Sequence, residues 1–113
     1  MIIARTLESL HQVAEEARKN SVKVSVLQFD FSQQDFTPIK QQLDKIKVGV
    51  LINNVGVSHS IPTPFDLETS EMISRIINVN IASVLSITKL CLDQMKPRKQ
   101  GLIVNMGIFI HNF

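Results

Sequence analysis

Asn53-Asn54-Val55-Gly56 sets two carboxamides side by side where an apolar run ends. A carboxamide both donates and accepts, so such a pair can satisfy orphan backbone groups at a chain reversal and offer its remaining atoms to a flat polar ligand. Val55 would add an apolar contact, and Gly56 would let the backbone approach that ligand closely. A simple Asx turn accounts for one Asn and the Gly, but less well for two adjacent amides. Arg5 carries a planar guanidinium that matches a phosphate, or else is an ordinary surface cation. The Asp30 carboxylate could accept from an exocyclic amino group, or serve a turn or cap. Asn80 shares a helix face with Ile73, Ile76, Val84, Ile87 and Cys91, spaced three and four apart. A polar side chain left unpartnered there costs about 1–3 kcal/mol, so it must hold a backbone group or an ordered water. Structural bonding and support of a proton relay both fit that position.

Other chemistries find little support. His11, His59, His111 and Asp44 are scattered, with no ligand spacing for a metal. Ser58-His59-Ser60 suggests a nucleophile, but neither a Gly-x-Ser-x-Gly elbow nor an orienting acid accompanies it in the sequence. The single thiol, Cys91, excludes an internal disulfide and reads as a small buried hydrophobe. A formal charge of +2, with basic residues dispersed singly, argues against nucleic acid. No apolar run approaches the ~20 residues of a membrane span, so no membrane-spanning segment is expected. There is no Tyr.

The elements that would position these residues follow from apolar periodicity. Ile2-Ile3-Ala4 reads as a short buried strand. Leu7, Leu10, Ala14 and Ala17 predict a helix from Thr6 to Asn20. Val22, Val24 and Val26, followed in opposite phase by Leu27, Phe29 and Phe31, predict a strand covered on both faces. Thr37-Pro38 opens a helix with Ile39, Leu43 and Ile46 inside, ending near Lys47. Val48 to Ile52 predicts a strand buried on both faces. Val57 to Pro64 reads as a loop, Leu67 to Met95 as a long helix stopped by Pro97 and Gly101, and Leu102 to Val104 as the last strand. This β-α-β-α-β-α-β order over residues 1–113 predicts one α/β domain, or one piece of it, with a parallel sheet.

Open parallel sheets bind ligands at the carboxyl ends of their strands. In a dinucleotide fold Arg5 would face the adenosine ribose, where a guanidinium favours the 2′-phosphate of NADP, and Asp30 would meet the adenine amino group. With these, Asn53-Asn54-Val55-Gly56 and Asn78-Val79-Asn80 resemble the Asn-Asn-Ala-Gly and helix Asn motifs of the short-chain dehydrogenase/reductase family. The likeness is greatest to the very-long-chain 3-ketoacyl-CoA reductases of fungal type, then to the 17β-hydroxysteroid dehydrogenases. Ile3-Ala4-Arg5-Thr6, Leu51 to Gly56, Ser58 to Phe65 and Gly101 to Gly107 carry that finer likeness.

The resemblance implies a partial Rossmann-like doubly wound parallel sheet, lacking the first and last strands of the full domain. It implies NADPH as cofactor, held by Arg5, Asp30, Asn53, Asn54, Val55 and Gly56, with Asn80 in a supporting catalytic role. It implies a parent enzyme that reduces a 3-ketoacyl-CoA, or another ketone such as a steroid, at the endoplasmic reticulum membrane. The family's glycine-rich turn would precede Met1 and its Tyr-x-x-x-Lys would follow Phe113. Ile108 stands where the catalytic Ser is expected, and Ile108 to Phe113 departs from the pattern. The expectation is therefore a reductase fragment inactive alone. The alternative is a noncatalytic module that binds a full-length reductase, with dimerisation through the apolar helix 76–95. The missing first strand would be the central one, between those ending at Ala4 and Ile52, so the chain is expected to be weakly stable or aggregation-prone unless those two strands pair directly or a partner fills the gap.

Overall fold

The computed structural model describes residues 1–59 and 61–107, which fall into two compact units, Met1–Phe31 and a second beginning at Ser32. The first unit is a β-α-β motif. β1 (Ile2–Ala4) leads into α1 (Leu7–Arg18), and the chain returns as β2 (Val26–Gln28), parallel to β1 with Ile2 opposite Val26 and Ala4 opposite Gln28. Of the four apolar positions predicted to face inward, Leu10 and Ala14 are buried. Phe29 is buried too, and its ring meets Phe31 edge to face at 5.3 Å.

The strand expected from Val22 begins only at Val26. Strand geometry needs a ladder partner, and β1 starts opposite Val26, so residues 22–24 have none. They serve instead as the crossing out of a turn in which Ser21 takes a left-handed conformation, φ 60°.

In the second unit α2 (Thr37–Leu43) opens with Pro38 in its first turn, and the Asp35 carboxylate accepts from the Thr37 N–H at 3.0 Å. Bonding to the Thr37 side chain and then to its backbone N–H holds the Asp35 carboxyl below the ordinary range. Ile39 and Leu43 are buried, but the helix ends at Leu43 and Ile46 is exposed, short of the predicted end near Lys47. The exposed Lys40 pairs with Asp44 one turn on, at 2.6 Å.

β3 (Val50–Asn53) and β4 (Leu102–Asn105) pair in parallel, Val50 opposite Leu102 and Asn53 opposite Asn105. β3 was expected to be buried on both faces. Instead Val50 and Ile52 are 56% and 61% exposed. The pleat sends Leu51 and Asn53 toward the helix packed on this pair, while Val50 and Ile52 point the other way.

The long helix is segmented. A short 3₁₀ turn, Phe65–Leu67, precedes α3 (Ser70–Ile77), whose N-cap Thr69 accepts from the Met72 N–H at 3.2 Å. Residues Asn78–Ala82 form a π-helical turn that continues into α4 (Ser83–Arg98). Pro97 does not stop α4 but lies in its final turn. The stop comes at Lys99, left-handed at φ 52°, with the Gln100 N–H closing back on the Met95 carbonyl. Gly101 just beyond packs on the buried Met95 side chain, which would have to shift to admit a Cβ.

Ile87, Cys91 and Met95 of α4, with Val79, Ile39, Leu43 and Val48, form this unit's buried set. The continuous helical stretch Ser70–Arg98, 29 residues, is long and apolar enough to cross a membrane, which the sequence reading did not anticipate. Core helices pass the same test. Here Asn78, Asn80, Ser83, Thr88 and Gln94 all bond to protein partners within the unit.

Burial pushes the Cys91 thiol above its ordinary pKa, leaving little thiolate near neutral pH. The folded chain should react with a disulfide reagent such as DTNB at least about tenfold more slowly than the chain in denaturant. Equal rates in the two states would place Cys91 at the surface.

Candidate functional site

The local sequence Asn78-Val79-Asn80 builds the central feature. In the π turn the Ser83 N–H reaches back five residues to the Asn78 carbonyl, so it no longer serves Val79 as it would in a regular helix. The Ser83 hydroxyl donates to the Val79 carbonyl instead, at 2.7 Å and fully buried. One residue past Val79, the Asn80 side chain makes a reciprocal pair with the loop after β3. Its Oδ1 accepts from the Val57 N–H and its Nδ2 donates to the Val57 carbonyl, both at 2.8 Å. Asn80 thus holds a backbone group, one of the uses its position on an apolar helix face allows.

Asn53 ends β3 and is 7% exposed. Its Nδ2 donates to Thr88 Oγ1 of α4 at 3.0 Å and to Asn105 Oδ1 at the end of β4 at 2.8 Å. Both N–H bonds of that carboxamide are spent inside the protein, so they join two strands and a helix and are not offered to a ligand.

Asn53, Val55 and Asn80, with Val84, Asn105, Met106 and Gly107, line a hollow of about 300 Å³ at the carboxyl ends of β3 and β4. Asn54 and Gly56 are exposed and do not line it. No described glycine has a positive φ, so Gly56 is not required by a left-handed turn.

In the first unit, Arg5 follows β1 directly and Asp30 lies two residues past β2, so both stand at the carboxyl end of the same parallel pair. Arg5 is exposed, and its carbonyl accepts from Gln28 Nε2 at 3.0 Å, which fixes the backbone where the strand ends. Asp30 is half-buried and engaged with neighbouring groups.

Sequence reasoning missed Thr88, Ser83 and Asn105 as parts of this site. The rule that singled out Asn53, a polar residue at the carboxyl end of an apolar run, applies equally to Asn105 after Leu102-Ile103-Val104. Thr88 and Ser83 carry no such signal, since a hydroxyl on a helix reads as neutral. The acid judged missing beside His59 is also present: Glu68 Oε2 lies against His59 Nε2. The Ser58 hydroxyl, however, donates to the His59 carbonyl and not to the imidazole, so Ser58 is not aligned as a nucleophile. Ser60 and the expectations for Ile108 to Phe113 lie outside the described residues. Among the described residues no cluster of His, Cys, Asp or Glu could hold a metal.

The family model for short chain dehydrogenases matches residues 1–108. This chain is a member of the short-chain dehydrogenase family, and its parallel α/β architecture is that family's Rossmann-type fold. The very-long-chain 3-oxoacyl-CoA reductase of Aspergillus fumigatus is 38% identical over 113 residues, covering 96% of this chain and 33% of the relative. The mouse 17-beta-hydroxysteroid dehydrogenase type 3 is also 38% identical, over 109 residues, covering 95% of this chain and 36% of that protein. The chain therefore spans about a third of the length of these relatives. A short-chain dehydrogenase of Sphingobium yanoikuyae, solved in complex with NADPH, superposes with a TM-score of 0.83 at 29% identity over 93% of this chain and 42% of that one.

Replacing Asn80 by Ala removes both bonds to Val57 and leaves a half-buried N–H and carbonyl without partners. The expected loss of stability is about 1–3 kcal/mol in urea unfolding. Asn80→Asp, which keeps the acceptor and loses the donor, should fall between Ala and the parent chain. An Ala variant as stable as the parent would show that the clamp contributes nothing.

Proposed function

We propose that this chain is the adenosine-binding part of an NADPH-dependent ketone reductase whose substrate is a 3-oxoacyl-CoA. The observation that carries the reading is the pair of braced polar strand ends, Asn53 with Asn105, beside the clamp that Asn80 places on Val57. A rim whose polar side chains are already tied to one another suits a flat ligand, because its shape needs no reordering on binding.

Its volume, about 300 Å³, fits one end of a dinucleotide and not the whole of it. In this reading Val55 contributes apolar contact, and Asn54 and Gly56 line the approach. The exposed Arg5 guanidinium pairs with a 2′-phosphate, and Asp30 accepts from the adenine amino group. The nucleotide supplies the hydride. Asn80, through Val57, keeps the loop that follows β3 in position.

The acyl-CoA substrate is favoured by the 38% identity to a very-long-chain 3-oxoacyl-CoA reductase, and a steroid ketone by the equal identity to a hydroxysteroid dehydrogenase. A location at the endoplasmic reticulum membrane belongs to the same proposal. The chain has no Tyr, so a phenol cannot protonate the nascent alkoxide here, and we propose that it does not turn over alone.

A second reading, a noncatalytic module that binds a full-length reductase through helix 76–95, is favoured by one observation. Ile77, Ile81 and Leu85 are exposed at successive turns of the helix, and Leu92 two turns further on.

Titration calorimetry with NADPH and NADH tests the first reading. NADPH should bind at least about tenfold more tightly, and Arg5→Asp should remove that preference. A folded chain that binds neither nucleotide would overturn the nucleotide role. Consumption of NADPH with a 3-oxoacyl-CoA well above background would overturn the proposed inactivity. For the second reading, a full-length reductase should co-purify with the parent chain and not with Leu85→Glu.

A further inference from the structure

Three carboxamides line the hollow at the carboxyl ends of β3 and β4, and the fold engages them differently. Asn80 turns both its Oδ1 and its Nδ2 to the Val57 backbone. Asn53 gives both N–H bonds to protein acceptors, Thr88 Oγ1 and Asn105 Oδ1. Asn105 is the exception. Its Oδ1 accepts from Asn53 at 2.8 Å, and among the described residues neither N–H of its Nδ2 has a protein partner. The residue is exposed at the rim. Val55, Val84 and Met106 give the rest of the lining an apolar character, and no charged side chain among the described residues joins it.

The turn of the Asn105 amide is set from a distance. A carboxamide reversed about its last bond exchanges donor for acceptor. Were Asn53 reversed, its oxygen would meet the Asn105 oxygen, so the two amides reverse together or not at all. Thr88 Oγ1, on α4, accepts the second Asn53 N–H at 3.0 Å. It thereby favours the arrangement in which the Asn105 oxygen faces Asn53 and the Asn105 N–H bonds remain for a ligand. Thr88 itself does not line the hollow.

We propose that Asn105 Nδ2 is the donor by which this hollow recognises an uncharged hydrogen-bond acceptor of the nucleotide, with Thr88 a positioning residue that acts through Asn53. The assignment rests on the nucleotide reading above. The acceptor is a ring nitrogen, a carbonyl or a sugar oxygen. A phosphate does not suit this rim, because a neutral amide with no cation beside it does not offset the hydration an anion would lose.

The side-chain carboxamide NMR signals of the whole chain, followed as NADPH is added, give the readout. The Asn105 signals should shift saturably and by more than those of Asn80. Thr88→Val, close in shape but without the oxygen, should weaken NADPH by at least about fivefold, and Thr88→Ser should restore binding to within about twofold of the parent. Asn105→Asp still accepts from Asn53 but cannot donate, and it should weaken NADPH at least about tenfold at low and high salt alike. Adenosine and nicotinamide riboside then distinguish the two halves of the nucleotide: one of them alone should shift the same Asn105 signals. Equal shifts by both would show a rim that senses any nucleoside and would sink the assignment. NADPH binding that leaves the Asn105 signals unmoved would overturn the donor role while the nucleotide reading stands. A folded chain that binds no NADPH would overturn that reading, and the assignment with it. Thr88→Val binding as tightly as the parent would remove Thr88 from the proposal. Should the variants fail to fold, the Asn105 signals of the parent chain decide the question.

Discussion

A carboxamide on the apolar face of a helix has to be satisfied by something, and in this chain it is satisfied by the backbone of a single loop residue. Asn80 gives one bond to Val57 and takes one back, both at 2.8 Å. Much else follows from that pair. It ties the chain leaving β3 to the joint between α3 and α4, and so fixes one wall of the hollow at the strand ends. An amide pair of this kind is directional, and it therefore specifies loop position in a way that apolar packing of Ile73 or Val84 does not.

The joint itself departs from regular geometry. A π turn widens the helix by one residue and displaces the bonding of the turn that follows. The cost is a carbonyl deprived of its usual N–H, and the buried Ser83 hydroxyl compensates by donating to Val79. That arrangement lets Asn80 turn toward the loop while Ile87, Cys91 and Met95, further along, keep their places in the core. Asn53 extends the same logic to the sheet, where its two N–H bonds join β3, β4 and α4. The polar groups of this region are thus spent mainly on each other, and the surface they present is held rigid.

Two-stranded parallel pairs are short of partners. Among the described residues each unit has one such pair, and Val50 and Ile52 lie exposed on one side of β3. Isolated two-stranded sheets are marginal in water, so in each unit the stability rests on helix packing: Leu10 and Ala14 in the first, Ile39, Leu43 and the α4 face in the second. Exposed strand faces and the row of Ile77, Ile81, Leu85 and Leu92 leave more apolar surface uncovered than a self-sufficient domain usually shows.

Sequence alone determined the order of elements, the parallel α/β class, the helix face carrying Leu10 and Ala14, and the placing of Asn53 and Asn80 at positions where a polar side chain must find partners. These follow from periodicity and from the cost of an unpaired polar group, both local properties of the chain. Tertiary structure decided where β2 begins, because a strand exists only where a ladder partner lies opposite. It decided that α4 runs through Pro97 to a left-handed Lys99, because closure on Met95 and the packing of Gly101 outweigh a proline in the last turn. It also brought Thr88, Asn105 and Glu68 to Asn53 and His59 across 35, 52 and 9 residues of chain. No spacing rule reaches across such separations, because what sets them is the path of the backbone in space.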